Sequence, residues 1–226
     1  MLPIKDEHRI PIIPYVTIIL MALNILVWIY QLTLPEQLER LFVIKYGVVP
    51  SFVTGLSDIE LPPDWFPRVF TLLSFQFLHG DLFHLAGNML YLFIFGNNIE
   101  AGLGRVRYAA FYLLGGVLAG ITHVLVGPAS QIPMIGASGS IAAVLGAYLV
   151  LYPRSRIVIF IWFFFFVRLV PVPALLVLGV WFILQVISVG GEGTAWMAHI
   201  GGFVAGMLLI RYFMPKPKAA TKRTLH

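Results

Sequence analysis

Six stretches of the chain run apolar for most of their length, at residues 12–34, 82–101, 106–126, 137–152, 172–189 and 195–213. A helix rising 1.5 Å per residue needs about 20 residues to cross a hydrocarbon core of roughly 30 Å. The pattern therefore predicts six transmembrane helices, of which the fourth is notably short. The first follows Lys5 and Arg9, has no small-residue cleavage site behind a short core, and contains Asn24 and Trp28, so it reads as a retained span and not as a signal peptide.

A further apolar stretch, residues 157–170 (IVIFIWFFFFVRLV), ends in Arg168 before Pro171 and Pro173. As a helix it would extend only about 21 Å, so it is expected to be a re-entrant or interfacial segment that leaves the membrane on the side where it began. Were it to cross, the last span would invert. The connection at residues 35–81 is long and holds most of the acidic residues together with Phe42, Tyr46, Phe52, Trp65 and Phe66. A connection of this length usually has structure of its own, and its aromatics predict a partly membrane-embedded loop on the outer side. The expected fold is thus an all-α membrane protein, a six-transmembrane-helix bundle with that long first loop. It spans residues 12–213, between a cytoplasmic N-terminus at 1–11 and a basic cytoplasmic tail at 214–226. No second domain, repeat or low-complexity tract is visible.

Composition sharpens this picture. Hydrophobic residues make up 59% and charged residues 11%, with a mean hydropathy of +0.91, against about 25% charged residues in soluble domains. Both a water-soluble globule and a disordered chain are excluded. The absence of cysteine excludes disulfides, thiolate catalysis and cysteine-bound zinc or iron–sulfur clusters. The net charge of +5 would suggest nucleic acid in a soluble protein; here it marks a membrane face, and no nucleic-acid partner is expected. With both termini cytoplasmic, 12 of the 15 basic residues fall on that side, and only Arg40, Lys45 and Arg68 fall outside. A six-span core without a targeting presequence points to a prokaryotic plasma membrane.

Polar side chains at membrane depth face a bundle interior or a wet cavity. The predicted topology brings the starts of the second, fourth and sixth spans to the outer side, and with them His84 and Asn88, Ser138, and His199. His84 and Asn88, four residues apart, share a helix face and can both donate toward a developing negative oxygen. Ser138 supplies a hydroxyl that attacks poorly without a base close by, and His199 is the available base. Asp81 lies only at the rim, so a Ser–His dyad is expected in place of a triad. The bland alternatives are a backbone-bonded serine and a structurally partnered histidine, each commoner than catalysis for any single residue. Gly202-x-x-x-Gly206 and Gly139 with Ala143 are likewise ordinary helix-packing spacings, and that close approach would bring Ser138 within reach of His199. His79 is favoured as a loop residue and His123 as structural. A metal is not expected, because His79 and His84 have no carboxylate nearer than Asp81, and no cofactor is expected either. The sequence names no substrate-binding residue.

This constellation resembles the rhomboid family of intramembrane serine proteases. The matching residues are His79-x4-His84-x3-Asn88, Gly136-x-Ser138-Gly139 and Ala198-His199-x-x-Gly202-x-x-x-Gly206. The resemblance implies Ser138 as nucleophile, His199 as its base, and His84, Asn88 and the Ser138 backbone N–H as an oxyanion hole. It also implies substrates that are transmembrane segments of membrane proteins, cut near their outer ends. Two positions depart from the family pattern: Phe70-Thr71 stand where many relatives have Trp-Arg, with Trp65 and Arg68 out of register, and Thr194 stands where many have glycine. The bulky fifth span, with the loop at residues 190–194, is expected to form a lateral gate. The competing expectations are a non-proteolytic rhomboid-like protein that binds membrane helices, disfavoured by the presence of both Ser138 and His199, and a small transporter or channel, disfavoured by the lack of an inverted repeat.

Overall fold

A computed structural model of the chain describes residues 2–8, 10–163, 166–187 and 196–215. The predicted spans appear as six helices within a few residues of their expected limits. They are α1 (Tyr15–Thr33), α5 (Leu82–Leu103), α6 (Arg105–Val126), α7 (Ser138–Leu151), α8 (Ala174–Ile187) and α9 (Trp196–Phe213). The first loop is structured, carrying α2 (Glu36–Tyr46), α3 (Pro50–Thr54) and α4 (Thr71–Ser74).

Of these helices, α1, α6 and α9 are both long and apolar enough to cross a membrane by themselves. Helix α5 has 22 residues but carries His84, Asn88, Asn97, Asn98 and Glu100. Helices α7 and α8 are apolar but have 14 residues each. The shortness of α7 has a physical reason: every residue from Gly139 to Tyr148 is buried, so this helix is jacketed by protein and need not match the lipid thickness. The outward faces of α1 and α8 are apolar instead, with Ile18, Leu26, Leu176, Ile183 and Ile187 exposed.

The all-α expectation fails at one place. The described residues of 157–170 are not helical. They lie in an antiparallel hairpin of β2 (Arg156–Phe163) and β3 (Phe166–Pro173), which β1 (Leu2–Asp6) extends to a three-stranded sheet of order β1-β2-β3. The run of isoleucine, valine and phenylalanine favours a pleated surface over a helix, and Pro171 and Pro173 are tolerated because β3 is an edge strand. Pairing of Arg156 with Pro173 returns the chain to the level at which it left. Helix α9 therefore starts at the same end of the bundle as α5 and α7, although the element type between is not the one expected. The sheet joins the bundle core through Ile157 and Ile159.

Two carboxylates fasten this basic end. Asp6 takes hydrogen bonds from the Asn98 amide and the Tyr148 hydroxyl. Glu100, buried at the end of α5, accepts from the Val16 and Thr17 backbone N–H groups at 3.0 and 2.8 Å and from the Thr17 hydroxyl at 2.9 Å. Glu100 thereby satisfies the open donors at the start of α1, where an anion is favoured.

The central packing is made by small residues. A Cβ added to Gly206 would stand 2.7 Å from the Ala143 Cα, one on Gly139 2.7 Å from the Ala119 Cβ, and one on Gly115 2.5 Å from the Ala143 Cβ. Helix α7 is thus gripped between α9 and α6. The predicted small-residue seam of the fourth and sixth spans is present, and a second seam on α6, at Gly115, Gly116 and Gly120, went unremarked in the sequence.

Candidate active site

The N-terminal ends of α5, α7 and α9 meet at one level around a cavity of about 500 Å³. Its lining includes His84 and Asn88 from α5, Ser138 from α7, Trp181 and Gln185 from α8, and Trp196 and His199 from α9. All four sequence-predicted site residues are brought together here. His123 on α6 does not line the cavity.

Ser138 opens α7. Its N–H belongs to the first turn, where backbone donors have no intrahelical acceptor and the helix dipole favours negative charge. The preceding turn is shaped by Gly136, whose φ of 121° is open to glycine and strained for other residues. A Cβ at that position would also stand 2.7 Å from the His84 Nε2. The Gly136 N–H donates to the Phe75 carbonyl at 2.9 Å, which ties this turn to the first loop. The glycine of Gly136-x-Ser138-Gly139 therefore sets the backbone and makes room for the histidine.

The Ser138 Oγ lies 2.8 Å from the His199 Nε2. The other ring nitrogen, Nδ1, lies 2.7 Å from the Gln185 Oε1. Trp181 and Trp196 flank the imidazole, with ring centroids at 6.1 and 6.3 Å. Sequence reasoning missed Gln185. The available signal was its polarity inside an otherwise apolar span, the same signal that marked His84 and Asn88.

On α5, Asp81 is the N-cap, accepting from the His84 N–H at 2.8 Å. This accounts for the one carboxylate at the rim. His79 is more than a loop residue. Gln31 of α1 clasps its main chain, donating to the His79 carbonyl at 3.0 Å and accepting from its N–H at 3.1 Å. The His79 ring lies with its Nε2 2.9 Å from the Asn88 Nδ2. With the amide donating to that nitrogen, its second hydrogen is left for the cavity. Arg68, out of register with the family pattern, donates to the Phe52 carbonyl at 3.1 Å and braces the loop. The gate loop at residues 190–194, Thr194 within it, and the basic tail from residue 216 lie outside the described residues.

Burial, reinforced by neighbouring His84, lowers the His79 pKa from 6.5 to about 4. As pH falls, an unfolded chain takes up this proton before the folded one does. The stability contributed by His79 is therefore complete above about pH 6.5, declines from there to about pH 4, and is absent below; roughly 3 kcal/mol is at stake. In detergent melts across that range, His79→Gln should show a correspondingly smaller loss than the native protein; parallel curves would exclude the linkage.

The family model for the rhomboid domain matches residues 67–216. Curated relatives include rhomboid protein 1, mitochondrial, of Saccharomyces cerevisiae, 25% identical over 177 residues that cover 73% of this chain and 48% of that one. RHOMBOID-like protein 12, mitochondrial, of Arabidopsis thaliana is 29% identical over 154 residues, 60% of this chain and 44% of that one. The human presenilin-associated rhomboid-like protein, mitochondrial, is 30% identical over 149 residues, 62% of this chain and 37% of that one. The chain spans less than half the length of these relatives. All three are named as mitochondrial proteins, which overturns the expectation of a prokaryotic plasma membrane; a compact core does not specify a compartment. By the extent of the domain match, this chain belongs to the rhomboid family.

Proposed function

We propose that the chain is an intramembrane serine endopeptidase that cleaves transmembrane segments of membrane proteins near the end of the bilayer where its cavity lies. The observation carrying this reading is the 2.8 Å approach of the Ser138 Oγ to the His199 Nε2 beside a cavity rich in hydrogen-bond donors. The six helices α1 and α5 to α9 each span the bilayer in this reading, with both termini on the basic side and the catalytic unit at residues 12–213.

His199 takes the Ser138 proton as the hydroxyl oxygen attacks the peptide carbonyl. The tetrahedral oxygen is then held by the Ser138 N–H, the Asn88 amide and the His84 ring, and the imidazolium returns its proton to the leaving amine. Nucleophile, base and donors are all side-chain and backbone groups, so the reaction needs no metal or cofactor. A substrate helix has its carbonyls bonded internally and must unwind before attack, so glycine, proline or small residues near the scissile bond are preferred. The cavity is flanked by Phe83, Gly87 and Tyr91 of α5 and by Trp181 of α8. Helix α8 buries only Ala174, Leu178 and Gln185 among its described residues, in keeping with a role as lateral gate.

Asn88→Ala should lower kcat by about 10² to 10³-fold, a larger effect than the loss of about 1–3 kcal/mol of stability when the buried His79 Nε2 loses its partner. An unchanged kcat would remove Asn88 from the site. The proposal itself is tested by reconstituting the protein in liposomes with a single-span substrate carrying glycine or proline near one end, then mapping the products by mass spectrometry. Cleavage within the span by the native chain and none by Ser138→Ala is expected. Substrate that is captured uncut, or cut equally by Ser138→Ala, would favour a helix-binding protein or a contaminating protease.

A further inference from the structure

Helix α8 contributes a polar side chain to the centre of the site. Gln185 is buried (7% exposed), and its carboxamide is used at both ends. Nε2 donates to the Trp181 carbonyl one turn earlier at 3.4 Å, and Oε1 stands 2.7 Å from the His199 Nδ1. A glutamine that served only to satisfy itself within an apolar helix would need the first contact alone. The second is the shorter of the two and crosses to another helix. Because a carboxamide oxygen only accepts, its partner nitrogen must carry hydrogen. His199 is thereby fixed as the Nδ1–H tautomer, which leaves Nε2 as an acceptor facing the Ser138 hydroxyl.

We infer that Gln185 is a positioning residue for the hydrolysis, the third member of a Ser138–His199–Gln185 relay in which a neutral carboxamide stands where a soluble triad has a carboxylate. It sets the tautomer and holds the ring, and it supports the imidazolium by a dipole and not by an ion pair. In an apolar bundle this avoids burying a charge. The inference rests on the proposed protease reading. It also joins the gate helix to the dyad: α8 carries the oxygen that orients the base, so its displacement would uncouple Nδ1.

The test uses the full-length protein in detergent and a fluorophosphonate probe, with labelling rates measured against pH for the native chain, Gln185→Met and Gln185→Glu, and with Ser138→Ala as control. Methionine keeps the length and burial of glutamine but offers no comparable acceptor; glutamate keeps the acceptor. Gln185→Met should label at least about tenfold more slowly, whereas Gln185→Glu should stay within about threefold of native. The titratable groups whose charge acts on His199 are His84 of α5 and His123 of α6, and both are unchanged in these variants. The acid limb of the rate profile should therefore move to higher pH in Gln185→Glu, where a carboxylate holds the imidazolium. Met and Glu variants with equal rates and equal acid limbs would overturn the inference while leaving the dyad standing. Undiminished labelling of Ser138→Ala would overturn the dyad instead. A second measurement needs no variant to be active: the ¹⁵N signals of His199 in the native protein, assigned with His199→Ala, should report hydrogen on Nδ1 and a bare Nε2. The opposite tautomer would overturn the inference.

Discussion

Ser138→Ala and His199→Ala should each lower cleavage of a membrane-embedded peptide bond by about four to six orders of magnitude, and the double variant should be little worse than either alone. The two groups act as one unit: without the imidazole the hydroxyl keeps its proton, and without the hydroxyl the imidazole has nothing to activate. What remains should be the small residual rate of a site that still offers His84, Asn88 and the first-turn N–H of α7 to an attacking water. Neither side chain supports the core, since the helices that carry them are joined elsewhere along their lengths, so both variants should melt close to the native temperature. Losses that multiplied in the double variant would mean independent roles and would count against a dyad.

The second large effect concerns distance. A Cβ on Gly206 would stand 2.6 Å from the Ala143 carbonyl carbon and 2.7 Å from its Cα, contacts too short for any side-chain movement to relieve because the obstacle is backbone. Gly206→Ala should force α9 away from α7, destabilise the protein by about 3 kcal/mol and carry His199 out of reach of Ser138. Fluorophosphonate labelling should fall with the melting temperature. Ala143→Gly should not rescue it, because the Ala143 methyl packs toward Gly115 of α6 and the obstruction at Gly206 is the Ala143 backbone, which remains. Gly179→Ala on α8, where a Cβ meets nothing within 4 Å, provides the control and should be neutral or slightly stabilising. Full labelling by a stably folded Gly206→Ala protein would show that helix separation does not govern the site.

The helices and the meeting of the four candidate residues were legible because each rests on a strong local signal: a long run of apolar residues, or a polar group set inside one. Convergence of Ser138, His199, His84 and Asn88 followed from counting crossings, and the hairpin at residues 156–173 preserves that count because its two ends lie side by side. Its strand character was not legible from apolarity alone, which is the same for a buried helix and a pleated strand; the β-branched and aromatic bias was the discriminating signal. Gln185 escaped notice because its partner, His199, lies on another helix, and no spacing in the sequence relates two helices that meet only in the fold. The link from His79 to Asn88 escaped for the opposite reason. The two are near in sequence, but the turn between them had to be known before the ring could be aimed. Asp6 and Glu100 had no pattern to mark them, being single acids that find their partners across the basic end of the bundle.

The most direct test of the dyad is to locate the phosphonate adduct. After the native protein reacts with the probe in detergent, peptide mapping should find one modified residue, Ser138, and His199→Ala treated in the same way should carry none. An adduct on another residue, or one on Ser138 that forms equally fast without His199, would contradict the account.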